Sequence, residues 1–135
     1  DVPGLCDRLD SCGFPVTLLH GDLHPGNAIG VEGGHRLIDW SDASIGHPLF
    51  DLHMVDDTSE PRRTELERSY LEKWGDRISR DDGEMATSLA RVLRPLHHGV
   101  SYQVIAEGLE TPGELDFAHE FLIQAAAALR SAQAL

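Results

Sequence analysis

Basic residues are scarce in this sequence, and lysine is nearly missing. Eleven Lys and Arg, of which only Lys73 is a lysine, face twenty-three Asp and Glu, for a net charge of −12 over 135 residues. A surface that acidic repels nucleic-acid backbones and anionic membranes, so neither is expected as a main partner. It favours a cationic ligand slightly. Cysteine is sparse as well: Cys6 and Cys12 make no disulfide framework, which suits a reducing, cytoplasmic setting. No apolar run approaches the roughly 20 residues of a membrane-spanning helix, and no secretory leader opens the chain. An initiator methionine is also lacking. The chain opens on Asp1 and a Pro-Gly pair, and a place inside a longer protein is expected.

What is present is the composition of a globular domain. The sequence is 41% hydrophobic and 25% charged, which separates it from disordered chains. Its length suits one domain with one modest core. Leu5, Cys6 and Leu9 stand at helical spacing, and Gly13 and Pro15 end that pattern. Val16 to Leu19 is a short β-prone run. Residues 20–27 are expected to be irregular, since Pro25 and Gly26 oppose regular structure. Residues 28–31 and 36–40, around a turn at 32–35, read as a β-hairpin. Residues 40–48 read as a loop, with a helix starting near Leu49.

The remainder reads as helical. Thr58 to Pro61 is a start signal for a helix whose apolar face carries Leu66, Tyr70, Leu71 and Trp74. Ser79-Arg80-Asp81-Asp82 resembles a capping box. Met85, Leu89, Val92, Leu93, Leu96, Val100 and Val104 follow at helical spacing, and Pro95 is expected to kink or split that run. A second capping box at Thr111-Pro112-Gly113-Glu114 precedes a last face of Leu115, Ala118, Leu122, Ala125 and Leu129. These three stripes are expected to be core. The whole predicts an α+β fold, mainly helical, with one small hairpin that carries the chemistry.

That chemistry is concentrated in residues 20–51. Asp22 and Asn27 lie five apart in the loop after a strand, and Asp39 closes the second arm of the hairpin that begins after Asn27. A hairpin returns its ends to each other, so Asp39 can come back beside Asn27. An amide oxygen and a carboxylate there form a hard, oxygen-rich site suited to Mg²⁺. Asp22, close by, can accept or orient the proton of an attacking hydroxyl. Taken singly, Asp and Asn in such places serve turns; the ordered set points to catalysis and metal binding.

His20-Gly21-Asp22-Leu23-His24-Pro25-Gly26-Asn27, followed by Ile38-Asp39-Trp40, resembles the aminoglycoside phosphotransferase and choline kinase group of kinase-like enzymes. Gly46 to Leu52 is similar to that group's G-x-P-x-x-D-L element. The resemblance implies that the chain, residues 1–135, is the mainly helical C-terminal lobe of a protein-kinase-like fold, holding the catalytic and acceptor-binding parts. It implies ATP and Mg²⁺ as cofactors, a small molecule bearing a hydroxyl as acceptor, and transfer of the γ-phosphate between them. Asp22 becomes the catalytic residue that orients the acceptor hydroxyl. Asn27 and Asp39 become the ligands of the metal that bridges the nucleotide phosphates. His20 would brace the loop through a backbone bond, and Asp51, read as a helix N-cap, would hold the loop by accepting its backbone N–H groups. His24 stands where serine/threonine kinases place a phosphate-facing lysine; a phosphate contact and a solvent-facing histidine are the two readings. Trp40 replaces the phenylalanine of the protein-kinase DFG sequence.

Gly21 stands where protein kinases carry the arginine that reads a phosphorylated activation loop, and residues 40–48 leave no room for a long activation segment. Both features favour a small-molecule acceptor. The sequence has no Gly-rich phosphate loop and no strand lysine with a glutamate partner, parts that belong to an N-terminal nucleotide-binding lobe. The 135-residue chain alone is therefore expected to bind ATP poorly and to turn over little. Asp42, and Tyr102, Glu107 and Glu110 on later helices, are candidates for the acceptor pocket or for ordinary surface. His97 and His98 are adjacent on a helix, about 100° apart, and read as core or surface rather than as ligands of one ion. Two alternatives remain: a degenerate kinase-like binding module, and a metal-dependent hydrolase using His20, Asp22 and His24.

Overall fold

The computed structural model describes residues 1–56, 58–108 and 117–132, with the side chains of residues 106, 117, 118 and 132 excepted. Glu110, the capping box at 111–114 and Leu115 lie outside the described residues, as does the Ala118 side chain.

Helix α1 spans Val2–Ser11 and buries Leu9. Strand β1, Thr17–Leu19, follows, and then a single 3-10 turn at Pro25–Asn27 where irregular chain was expected. β2, Ala28–Val31, pairs antiparallel with β3, Gly34–Leu37. The hairpin is tighter than the sequence suggests, because Gly33 takes a positive φ and the turn closes on two residues. β4, Ser44–Gly46, lies within the segment read as loop. It pairs antiparallel with β1, Leu18 opposite Ile45, so there are two small sheets rather than one hairpin. Three residues without apolar alternation give no local strand signal; the pairing comes from the crossing of distant segments.

Pro48–Val55 is a 3-10 helix capped by His47, whose Nδ1 accepts the Leu49 N–H at 3.3 Å. Asp51 is thus not the N-cap; it sits inside the element. α2, Glu60–Leu71, continues through a 3-10 stretch, Glu72–Arg77, to α3, Arg80–Glu107. Ser79 caps α3 by accepting the Asp82 N–H at 3.1 Å, and its hydroxyl donates to the Asp82 carboxylate at 2.6 Å. Pro95 does not split α3, which runs 28 residues through it. A mid-helix proline costs about 3 kcal/mol, and α3 offsets it by packing against α1, the 3-10 helix and α4, Phe117–Ala132.

The core joins Leu9, Cys12 and Phe14 to Leu49, Leu52 and Val55 of the 3-10 helix and to Ala86, Leu89, Ala90 and Leu93 of α3. Leu66, Tyr70, Leu71 and Trp74 pack against it, as their stripe predicts. The other stripes hold in part: Leu89, Leu93 and Ala125 are buried as expected, whereas Met85, Val100, Val104 and Leu122 are exposed. The buried face of α3 also takes in Ala86 and Ala90, whose small side chains let α1 and the 3-10 helix approach closely. At α3's other face Gly99 meets Leu122 of α4, where an added Cβ would lie 3.0 Å from its Cδ2. Among the described residues no helix is long and apolar enough to cross a membrane.

Beneath the 3-10 helix lies a buried charge network that the sequence did not announce. Arg94, 1% exposed, donates to the Leu49 carbonyl at 3.2 Å and to Asp56 at 2.6 Å. Arg91 forks onto Glu67, with Nε 3.0 Å from Oε1. Burial pushes the Asp56 carboxyl up and the Arg94 guanidinium down, while each opposes the other's shift through its charge. The arginine thereby ties both ends of the 3-10 helix to α3.

Candidate active site

The loop between β1 and β2 is held from below by one carboxylate. Asp51 accepts the His20 N–H at 2.7 Å and the Gly21 N–H at 3.0 Å, one on each oxygen. His20 is buried, and its Nε2 meets the Ile38 carbonyl at 2.8 Å; since a carbonyl only accepts, Nε2 carries the proton. Its ring also packs against Trp40, centroids 4.7 Å apart. One histidine therefore joins the loop at Asp22 to the strand end at Asp39.

Gly21 explains itself in the structure. Its φ is +83°, and a Cβ there would lie 2.1 Å from the Asp42 carbonyl oxygen. Two backbones cross at that point, and any side chain would force them apart. The position that carries arginine in protein kinases has no room for one here.

Asn27 is buried, and its amide nitrogen donates twice: to the Asp22 carbonyl at 2.9 Å and to Asp22 Oδ2 at 3.2 Å. That leaves its amide oxygen for another partner. The Ile38 N–H bonds the Asn27 carbonyl at 3.0 Å and so extends the β2–β3 register by one pair. Asp39 is the next residue, returned beside Asn27 as the hairpin requires. It is the one described non-glycine residue with positive φ, at +60°, a region aspartate tolerates better than most residues. The Ser41 hydroxyl donates to Asp39 Oδ1 at 3.0 Å, a contact unread in the sequence.

His24 caps the 3-10 turn: its Nδ1 accepts the Gly26 N–H at 3.1 Å. Its Nε2 lies 3.5 Å from Asp22 Oδ2. Asp42 lies beside the loop and, with Gly21, Ser44, His97, Ser101 and Tyr102, lines a narrow crevice. Burial raises the Tyr102 phenol first, and the Asp22 and Asp42 charges raise it further. Tyr102 stacks on Phe121, centroids 5.5 Å apart, whereas Glu107 is exposed and bonded to Gln103.

His97 and His98 face different neighbours. His98 is buried against His53 at 4.3 Å between centroids and against Phe121, whereas His97 packs on Phe50. Burial, with His53 and His97 nearby, pushes His98 down to about 3. Burial also lowers His53, His97 and, to about 4, His47. Among the described residues no three His, Cys, Asp or Glu side chains converge on a point that could hold a metal. Asn27 and Asp39 offer an amide oxygen and a carboxylate, donor types that would suit Mg²⁺, which keeps waters and takes further ligands from phosphates.

A mainly helical fold with Asp22, Asn27 and Asp39 set around one hairpin is consistent with a helical fragment of a kinase-like fold. Residues 5–86, more than half of the chain, match the APH phosphotransferase enzyme family, and the chain belongs to that family. The matched span contains residues 20–51 and stops inside α3. Neither the curated proteins nor the solved structures yield a match.

Proposed function

We propose that this chain is the C-terminal catalytic and acceptor-binding lobe of an ATP-dependent kinase that phosphorylates a hydroxyl of a small molecule. The observation that carries the reading is the division of labour at Asn27. Its amide nitrogen is spent on Asp22, so its amide oxygen and the Asp39 carboxylate remain as oxygen donors. Asn27 and Asp39 would hold Mg²⁺, which supplies positive charge to the phosphates during transfer.

Asp22 accepts the hydrogen bond of the acceptor hydroxyl and aims its oxygen. It need not be a strong base, because the transition state is loose and charge lies mainly on the transferred group. Asp51 and His20 keep the loop in place. The crevice beside Gly21, with Asp42 and Tyr102 on its walls, is the proposed acceptor side, and the Asp42 carboxylate suits a cationic alcohol. The nucleotide's remaining contacts are assigned to an N-terminal lobe, because no Gly-rich loop or strand lysine occurs here.

The test is ADP release by the full-length protein with ATP and Mg²⁺ across cationic and sugar alcohols, beside Asp22→Asn. Acceptor-dependent turnover that collapses in the variant supports the proposal. Absence of nucleotide binding favours the degenerate-module reading, and tightly bound zinc in the purified protein favours the hydrolase. Robust phosphotransfer by residues 1–135 alone contradicts the assignment of an absent lobe.

A further inference from the structure

We infer that His24 is a positioning residue for Asp22, an inference that rests on the kinase reading of the site. The Gly26 N–H points at His24 Nδ1 from 3.1 Å, so Nδ1 is an acceptor and the neutral ring carries its proton on Nε2. That Nε2 faces Asp22 Oδ2 across 3.5 Å. Asn27 Nδ2 donates to the same oxygen at 3.2 Å. Among the described residues no hydrogen bond reaches Asp22 Oδ1. The two carboxylate oxygens are thus made unequal: Oδ2 is held by its neighbours and Oδ1 is left to meet the acceptor hydroxyl.

Packing does not fix this imidazole, whose side chain is 47% exposed. Its placement comes from the Gly26 N–H on one side and the Asp22 carboxylate on the other. Gly26 matters sterically as well, since a Cβ there would lie 2.7 Å from His24 Cε1 and push the ring away. Catalytic contacts of this kind are often long in the empty enzyme and tighten when substrates bind. The sequence-level reading of His24 as a phosphate contact differs in where the donor points: here it points at Asp22.

Capping alone is the competing explanation, and side-chain chemistry separates the two. Serine at position 24 caps the turn but cannot reach Asp22 with a donor. Glutamine reaches with an amide N–H in place of Nε2–H.

The experiment measures kcat and both KM values in the full-length enzyme for His24→Ser, His24→Gln and Gly26→Ala, with Asp22→Asn as control. Expected are kcat losses of tenfold or more in His24→Ser and Gly26→Ala, KM values within about twofold, and recovery of most of kcat in His24→Gln. Full activity in His24→Ser reduces His24 to a cap and overturns the inference. A loss expressed mainly in the KM for ATP restores the phosphate contact and overturns it too. If Asp22→Asn itself retains turnover, the kinase reading of the site fails first. Nitrogen-15 shifts of His24 in the 135-residue chain give a readout independent of turnover: the Nε2–H tautomer is expected, and Nδ1–H contradicts the geometry.

Discussion

Arg94 and Asp56 form a 2.6 Å ion pair whose guanidinium is sealed from solvent and whose other arm holds the Leu49 carbonyl. Between Leu49 and Asp56 lies Asp51, which carries the loop of Asp22. The buried cation therefore supports the site at one remove, through the 3-10 helix.

Arg94→Met should destabilise the fold by about 3 kcal/mol, because it strips a partly buried carboxylate of its partner and a carbonyl of its donor. Urea unfolding of the two chains measures this directly. An unchanged midpoint would mean that the network contributes nothing net.

Asp51→Ala removes two charge-assisted bonds from the loop, worth about 1.5–3 kcal/mol each when donor and acceptor are well placed. The His20 and Gly21 amides should lose hydrogen-exchange protection selectively, while the α3 amides around Leu89 keep theirs relative to global stability. Equal losses everywhere would make Asp51 a general rather than a local brace.

Gly21→Ala forces a side chain into a left-handed conformation, which costs about 1–2 kcal/mol, and drives its Cβ into the Asp42 carbonyl. The melting temperature should fall by more than conformation alone explains. A second substitution cannot relieve the clash, because the obstacle is backbone. A variant as stable as the parent would place the two segments further apart than they stand here.

Acid should destabilise the protein before its carboxylates titrate. His98 and His47 are held neutral down to about 3 and about 4 by burial, whereas an unfolded histidine titrates near pH 6.5. Between those limits the unfolded chain binds more protons, so stability rises with pH and falls on acidification below about 6.5. Each buried histidine adds a slope approaching about 1.4 kcal/mol per pH unit. Urea midpoints at pH 7, 6 and 5 should fall in order, and His98→Phe should flatten the trend.

The return of Asp39 beside Asn27 was legible in the sequence because a short hairpin fixes where its ends meet, and so, through the resemblance, was the hold of Asp51 on the His20 and Gly21 amides. The kinase-like order of the motifs supplied the rest. β4 was not legible, since Ser44 to Gly46 become a strand only when β1 lies alongside. Arg94 was equally hidden: an arginine on a helix reads as solvated, and only the arrival of Leu49 and Asp56 makes its burial tolerable. The core stripe of α3 was legible at Leu89 and Leu93 and went astray elsewhere for a related reason. Periodicity counts Met85 and Val100 as core candidates and undervalues Ala86 and Ala90, whose smallness is what the neighbouring elements require. Pro95 shows tertiary packing overriding a local preference.

The supports of the Asp22 loop come from progressively later chain. The His20 and Gly21 amides are bound from 31 and 30 residues downstream, and the Leu49 carbonyl from a further 45. Synthesis releases these partners in that order. A nascent chain that has emerged only as far as α2 holds Asp22, Asn27, Asp39 and Asp51 yet lacks the cation that seats their brace. These four can be spelled out on the ribosome well before their loop can be shaped, and the interval is set by the emergence of a single arginine on α3.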